Sequence, residues 1–309
     1  FSSVDAVDHL HMLVSGGEAV YMGDDASTAK ALSLLGKSSA PITGTVINAV
    51  DGRTLTGGKK VGNGYDKGVQ LPAGQEATVD LFVGSSLMSS PLPVNKGVYD
   101  ASVPTGKYTC QTSYPGFYTF YDQDCAVTSP EGLKRNSVMS PFLNPGDARF
   151  TLVWGAKPSD LELRLDVPLP QWMKLGGHPC VVRYTNTHCT AHSKHGKGKA
   201  KLEHTSTDGY GPETISVNGW VTGKYILRVK HFAGERELGG LDRTTNHDPA
   251  LLSSGAQVLA YMVGGAQRFL IGSHGYTTGV DWMVVRIDGD TQEVELCTPE
   301  ICPPPGKWG

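Results

Sequence analysis

Seven residues between His178 and His204 have side chains that could hold a zinc ion: His178, Cys180, His188, Cys189, His192, His195 and His204. Imidazole nitrogen and thiolate sulfur are the donors zinc prefers. Their surroundings argue for another use. Cys180 and Cys189 serve better as a disulfide in an oxidising compartment, and the run from His192 to Lys199 carries Lys194, Lys197 and Lys199, cations that repel a metal ion. With Lys201 they make a basic loop, and Lys194, Lys197 and Lys199 become candidate contacts for an acidic glycan held by charge. Trp172, next to Pro170 and Gln171, is a candidate for stacking on a sugar ring.

A second acidic set lies on Asp160, Glu162 and Asp166. In a strand these three share one face, so a neighbouring loop could complete a calcium site. No Asp-x-Asp-x-Asp-Gly loop accompanies them, and a solvated strand face is the simpler expectation. Nucleophilic chemistry finds no footing. Gly272-Ser273-His274-Gly275 departs from the Gly-x-Ser-x-Gly elbow and reads as a turn before Tyr276. Phosphate-binding loops, dinucleotide fingerprints and His-Glu-x-x-His helices are absent from the sequence, so neither an enzymatic activity nor a cofactor is expected.

The elements that position these residues are strands. The chain has 309 residues, 39 glycines, 19 prolines and 18% charged residues, a balance that favours many short strands and turns over long helices. Its length suits two domains. A net charge of −3 gives no general attraction to nucleic acid or anionic membrane, and no apolar run is long enough to span a bilayer. The six cysteines fall into three local pairs, Cys110 with Cys125, Cys180 with Cys189 and Cys297 with Cys302, which points to an extracellular chain. Its first residue is Phe1, and we expect that an export signal has been removed.

Thr-Gly-Lys-Tyr occurs at Thr105–Tyr108 and again at Thr222–Tyr225, each time opening a run that alternates in character. Two β-sandwiches in tandem are the resulting expectation. The first runs over 41–129, with a turn at Asp51-Gly52; a Pro- and Gly-marked linker follows over 130–146; the second covers 147–297, with a hairpin at Asp288-Gly289. A Pro-rich tail over 298–309 is expected to be extended and exposed.

Ile42-Thr43-Gly44-Thr45-Val46, Val103-Pro104-Thr105-Gly106-Lys107-Tyr108-Thr109 and Pro115-Gly116-Phe117 come in the order found in the carboxypeptidase-regulatory or transthyretin-like sandwich, which residues 41–129 resemble. That resemblance implies a non-catalytic extracellular spacer or binding domain. Trp154-Gly155, Pro158, Asp160-Leu161 and Gly209-Tyr210-Gly211-Pro212-Glu213-Thr214-Ile215 resemble the signature of a sandwich domain of secreted proteins whose function is poorly characterised. The chain departs from it at Glu162, where the signature has Asp.

Residues 1–40 belong to neither sandwich. Val4, Ala6, Leu10, Met12 and Val14 are apolar and Asp5, His9 and His11 polar, a strand with one face to bury. Ser15-Gly16-Gly17 ends it, and Asp25 opens a short helix over about 26–35. The strand can pair within its own domain or complete a sheet edge of another copy. Exchange between copies, head to tail, builds a filament. The sequence therefore suggests a secreted, non-enzymatic structural protein that assembles with itself into an extracellular fibril or surface layer, with carbohydrate binding as the alternative.

Overall fold

The structure, a computed structural model, describes residues 38–56, 60–61, 69–70, 76–88, 91–168, 179–193, 196–232, 248–262 and 265–304. The predicted N-terminal strand and helix, Trp172, Lys194 and the end of the tail lie outside them. The fold is nearly all β, as expected, and divides into two units. Residues 38–48 and 53–141 belong to the first, 49–52 and 142 onward to the second.

The first unit holds β1 (Ser39–Asn48), β2 (Lys60–Val61), β3 (Val69–Gln70), β4 (Thr78–Val83), β5 (Ser86–Leu87), β6 (Val94–Asn95), β7 (Val98–Pro104), β8 (Gly106–Ser113), β9 (Phe120–Val127), β10 (Leu133–Lys134) and β11 (Ser137–Met139). One sheet runs β10-β1-β7-β6 with β11 also on β1, and another runs β5-β4-β8-β9. Alternation decides which side each strand buries: Ala40, Ile42 and Val46 on β1, Val79, Leu81 and Val83 on β4, and Tyr108 and Cys110 on β8 are all inside.

The division between the units falls within the expected linker, after Pro141, but residues 133–139 of that segment are built into the first unit. β10 and β11 pair parallel with β1, Ile42 opposite Leu133 and Val46 opposite Ser137. Side chains fasten them: Asn136 Oδ1 accepts from the Thr45 amide at 3.1 Å, and Arg135 pairs with Asp122, whose carboxylate is fully buried. Gly44 has no side chain because the Arg135 carbonyl and the Tyr99 ring occupy that space. Two- and three-residue strands are too short to show alternation, so only the punctuating Pro and Gly were visible in the sequence.

The second unit contains β12 (Asp147–Val153), β13 (Leu161–Val167), β14 (Cys180–Val182), β15 (His188–Ser193), β16 (Gly196–His204), β17 (Glu213–Asn218), β18 (Lys224–His231), α1 (Pro249–Leu252), β19 (Gln257–Met262), β20 (Gly265–Leu270), β21 (Tyr276–Thr278), β22 (Asp281–Asp288) and β23 (Val294–Leu296). Two six-stranded sheets form, β15-β16-β17-β12-β19-β20 and β14-β13-β18-β22-β21 with β23 also on β22. One core lies between them, taking Phe150, Ile215 and Val258 from the first and Leu163, Leu227 and Trp282 from the second. Burial of these large apolar side chains is the main driving force for folding the unit, at about 25 cal/mol per Å².

The repeated Thr-Gly-Lys-Tyr does the same job in both units. Each tyrosine is buried and ties its hydroxyl to the backbone four residues upstream: Tyr108 donates to the Pro104 carbonyl, and Tyr225 accepts from the Val221 amide at 3.0 Å. The Asp51-Gly52 turn is present, closed by the Asn48 amide donating to the Arg53 carbonyl at 2.8 Å, with Gly52 at a φ of 68°. At Asp288 the chain also turns into a hairpin. Its loop is longer than Asp-Gly alone suggests, and Asp288 Oδ1 accepts from the amides of Asp290 and Thr291.

All six cysteines are paired as expected, and Cα separations of 5.8, 5.9 and 5.3 Å for Cys110–Cys125, Cys180–Cys189 and Cys297–Cys302 are ordinary for disulfides. The last of these shows that the start of the tail, at Cys302, is not exposed as expected. Cys302 is buried beside Ile226 and Met283 on the outer side of the second sheet, and Tyr276 donates to its carbonyl. The covalent link draws the segment back onto the sheet before its prolines begin. Cys110–Cys125, by contrast, staples the adjacent strands β8 and β9 and closes a 15-residue separation. Replacing both cysteines with Ala is expected to cost the first unit about 3 kcal/mol through the freed unfolded chain. Calorimetry reads this as a lower melting temperature for that unit; an unchanged one contradicts it.

Candidate functional site

Charge is concentrated on the outward residues of β13, β18 and β22. The inward positions Leu161, Leu163 and Leu165 enter the core, so Glu162, Arg164 and Asp166 share the opposite face, as their spacing predicts. Cross-strand register places Glu162 opposite Lys230 and Arg164 opposite Arg228. Two guanidiniums facing each other are repulsive, and the carboxylates relieve it. Arg164 Nε donates to Glu162 Oε2 at 2.6 Å, while Arg228 reaches Asp166 at 3.3 Å and Asp281 at 3.0 Å. Glu162 also accepts from the Tyr184 amide.

This face is the outcome for the calcium candidates. Glu162 and Asp166 are buried and occupied by arginines, which differs from the solvated face expected; Asp160 stands half-buried at the strand's start. Burial raises the pKa of Asp166, and Arg228 pulls it back. Asp160 is raised by burial and by Glu162, against the opposing effect of His231. Among the described residues no group of three or more His, Cys, Asp or Glu is arranged to hold a metal ion.

A second titratable set lies at the same end of the sandwich. Glu213, the glutamate of Gly-Pro-Glu-Thr-Ile, is buried and its pKa is pushed up to about 8, chiefly by desolvation. The Leu163 amide and the Thr205 hydroxyl both reach its carboxyl at 2.6 Å. At neutral pH the group is held mainly as the acid, and its proton can point at Thr205, whose hydroxyl both donates and accepts. Nearby, His231 Nδ1 pairs with Asp248 at 2.5 Å, and Asp248 caps α1 by accepting from the amides of Ala250 and Leu251. In the sequence Glu213 stood out only within the Gly-Pro-Glu-Thr-Ile signature and Asp248 was passed over; the Asp248-Pro249 pair suits a helix start, but neither pattern reveals burial.

The basic segment is a hairpin rather than a loop. β15 and β16 pair with His188 opposite Lys201, Thr190 opposite Lys199 and His192 opposite Lys197. The residues between them, Cys189, Ala191 and Ala200, enter the core, so these six lie on the outer face together. His188, His192 and Lys197 are exposed, Lys199 and Lys201 half-buried, and Lys201 pairs with Glu203 at 2.5 Å. The cysteines of the proposed zinc set are consumed in their disulfide. Gly272-Ser273-His274-Gly275 is the turn it was read as: His274 Nδ1 accepts from the Leu270 amide at 3.1 Å, and the His274 carbonyl accepts from the Trp282 indole at 2.7 Å.

No family model and no curated protein matches this chain. Solved structures that match include a "putative carbohydrate binding protein" from Bacteroides uniformis, at 12% identity over 62% of this chain and 88% of that one, TM-score 0.21. Another is fervidolysin from Fervidobacterium pennivorans, a keratinolytic enzyme related to subtilisin, at 10% identity over 87% of this chain and 32% of that one, TM-score 0.20. At such TM-scores neither likeness carries an argument about this protein.

Among the described residues one sheet edge carries few of the usual guards. Among the described residues β20 has a single neighbour, β19, and it pairs with it over six consecutive positions without a register shift. Its sequence, Gly265-Ala266-Gln267-Arg268-Phe269-Leu270, contains no proline or lysine and a single charge. Gly265, Ala266 and Gln267 are exposed. Edges are ordinarily blunted by prolines, lysines or bulges, and this one has none of them. Among the described residues no helix is long and apolar enough to cross a membrane.

Proposed function

We propose that the protein is a secreted, non-enzymatic structural subunit, in which residues 4–14 of one copy add as a strand to the β20 edge of another and so build a fibril or surface layer head to tail. The observation that carries this reading is the regular edge of β20, which among the described residues pairs on one side only and contains neither proline, lysine nor bulge. An apolar-polar alternating segment such as Val4 to Val14 is what an open edge accepts, since main-chain hydrogen bonds supply the affinity and alternate side chains the register. Three disulfides within two β-rich units suit a mechanical role outside the cell. The pairing of the buried charges with one another, Glu162 with Arg164 and Asp166 with Arg228, suits a frame rather than a reaction centre.

Register identifies which amides a partner strand would use. The Ile271 amide donates to the Ala256 carbonyl, making that a hydrogen-bonded pair, so alternation turns the amides of Gly265, Gln267 and Phe269 toward β19 and those of Ala266 and Arg268 outward. Ala266→Pro therefore removes an outward donor and spares the ladder. Electron microscopy of the full chain is expected to show filaments. The chain lacking residues 1–15 and the Ala266→Pro chain should remain unassembled even at roughly tenfold higher concentration, as one lost edge contact predicts. Unassembled full chain, or filaments in all three samples, would sink the proposal.

A further inference from the structure

We propose that the outer face of the β15–β16 hairpin is a binding site for an extended acidic polysaccharide, separate from the strand-addition edge at the other end of the same sheet. Register carries the inference. Lys197, Lys199 and Lys201 follow one another at every second residue, about 6.6 Å apart along β16, and His192, Thr190 and His188 stand opposite them about 4.8 Å away on β15. The result is a two-column ladder of donors, flat and about 13 Å long between its end lysines. These two strands carry three lysines, Lys197, Lys199 and Lys201, and one carboxylate, Glu203, which pairs with Lys201, on a chain whose net charge is −3.

That arrangement fits a linear polyanion better than a compact one. A phosphate or a metal-bound anion needs donors that converge on a point, whereas these are spread in a line on a rigid, disulfide-anchored edge, with Cys189 bonded to Cys180 on β14. Thr190 supplies a neutral hydroxyl between the two histidines, suited to sugar hydroxyls that separate successive charges. Single-stranded nucleic acid is held by Phe, Tyr or Trp platforms set among the cations, and none of the six ladder residues is one of these. Charge complementarity thus selects a carboxylated or sulfated glycan chain.

Calorimetric titration of the full chain with polygalacturonate and with dextran sulfate tests the site and separates the two anion chemistries. Saturable binding to at least one of them is expected, weakened by raising the salt from low to high and absent with neutral dextran. Each exposed charge contact is worth up to about fivefold, so His192→Gln/Lys197→Gln/Lys199→Gln, which removes two lysine charges, should lower affinity by several-fold to about twenty-fivefold. If that triple variant folds poorly, His192→Gln/Lys197→Gln, which alters exposed positions alone, must still lower affinity several-fold. Lys96→Gln/Lys107→Gln, exposed on the first unit, should leave it unchanged. Equal binding of neutral dextran, absence of binding to either polyanion, indifference to the ladder variants, or tighter binding of a thymidine oligonucleotide or phosphatidylserine vesicles at the same ionic strength would overturn the proposal.

Discussion

In urea titrations at pH 7, Arg228→Met is expected to lower the stability of the second unit by about 3–5 kcal/mol, the cost of stranding buried charge. Arg228 lies between Asp166 and Asp281, and with it gone Asp166 is left as a carboxylate that is 3% exposed. Loss of the guanidinium removes the attraction that opposes desolvation, so the folded-state pKa of Asp166 climbs further above the unfolded 3.8. A carboxyl raised in the folded state binds its proton more tightly there, so the penalty is small at pH 4 and grows as pH rises through the folded value. Asp166→Asn combined with Arg228→Met should recover most of the loss, since a buried pair removed whole costs far less than one broken. All five tryptophans follow residue 142, so tryptophan fluorescence reports this unit. A loss below about 1 kcal/mol, or one independent of pH, would show that water already solvates the pair.

The second large effect concerns Glu213. Its pKa of about 8 in the folded chain against 4.5 unfolded means the native state holds the extra proton between those values. Stability from this group is therefore complete below about pH 4.5 and is lost as pH rises through 8. At about 1.4 kcal/mol for each tenfold change in proton affinity, the loss by pH 9 is on the order of 3–5 kcal/mol. Glu213→Gln keeps the shape, still accepts from the Leu163 amide and can donate to Thr205, but has no proton to lose. It is expected to match the parent chain at pH 5 and exceed it at pH 9. Parallel pH profiles for the two chains would mean that the carboxyl ionises without penalty.

Local pattern made much of this fold legible. Leu161, Leu163 and Leu165 alternate with Glu162, Arg164 and Asp166, so the strand and its two faces could be read from seven residues. The Tyr108 and Tyr225 strands were equally clear because a glycine turn preceded each alternation. What escaped depends on partners far away in sequence. Arg228 comes to Asp166 from 62 residues away, and the guanidinium converts an expected solvated or calcium-binding face into a buried network. Parallel pairing of β10 and β11 with β1 was equally non-local, and each strand is too short to announce itself. The lysines looked like a loop because Gly196 and Gly198 interrupt them. Gly198 in fact sits in the strand, close against Val221, leaving its neighbours Lys197 and Lys199 on the opposite face. Asp248-Pro249 is a helix start by its chemistry, but four helical residues carry too little periodicity to be found.

Hydrogen exchange at β20 tests the assembly account most directly. A peptide of residues 1–17 is added to the chain lacking those residues, and amide exchange is followed along β20 by mass spectrometry and NMR. Strand addition predicts that the outward amides of Ala266 and Arg268 become protected when the peptide binds, while Gly265, Gln267 and Phe269, already bonded to β19, change little. Exchange at Ala266 and Arg268 that is unchanged by saturating peptide would contradict it.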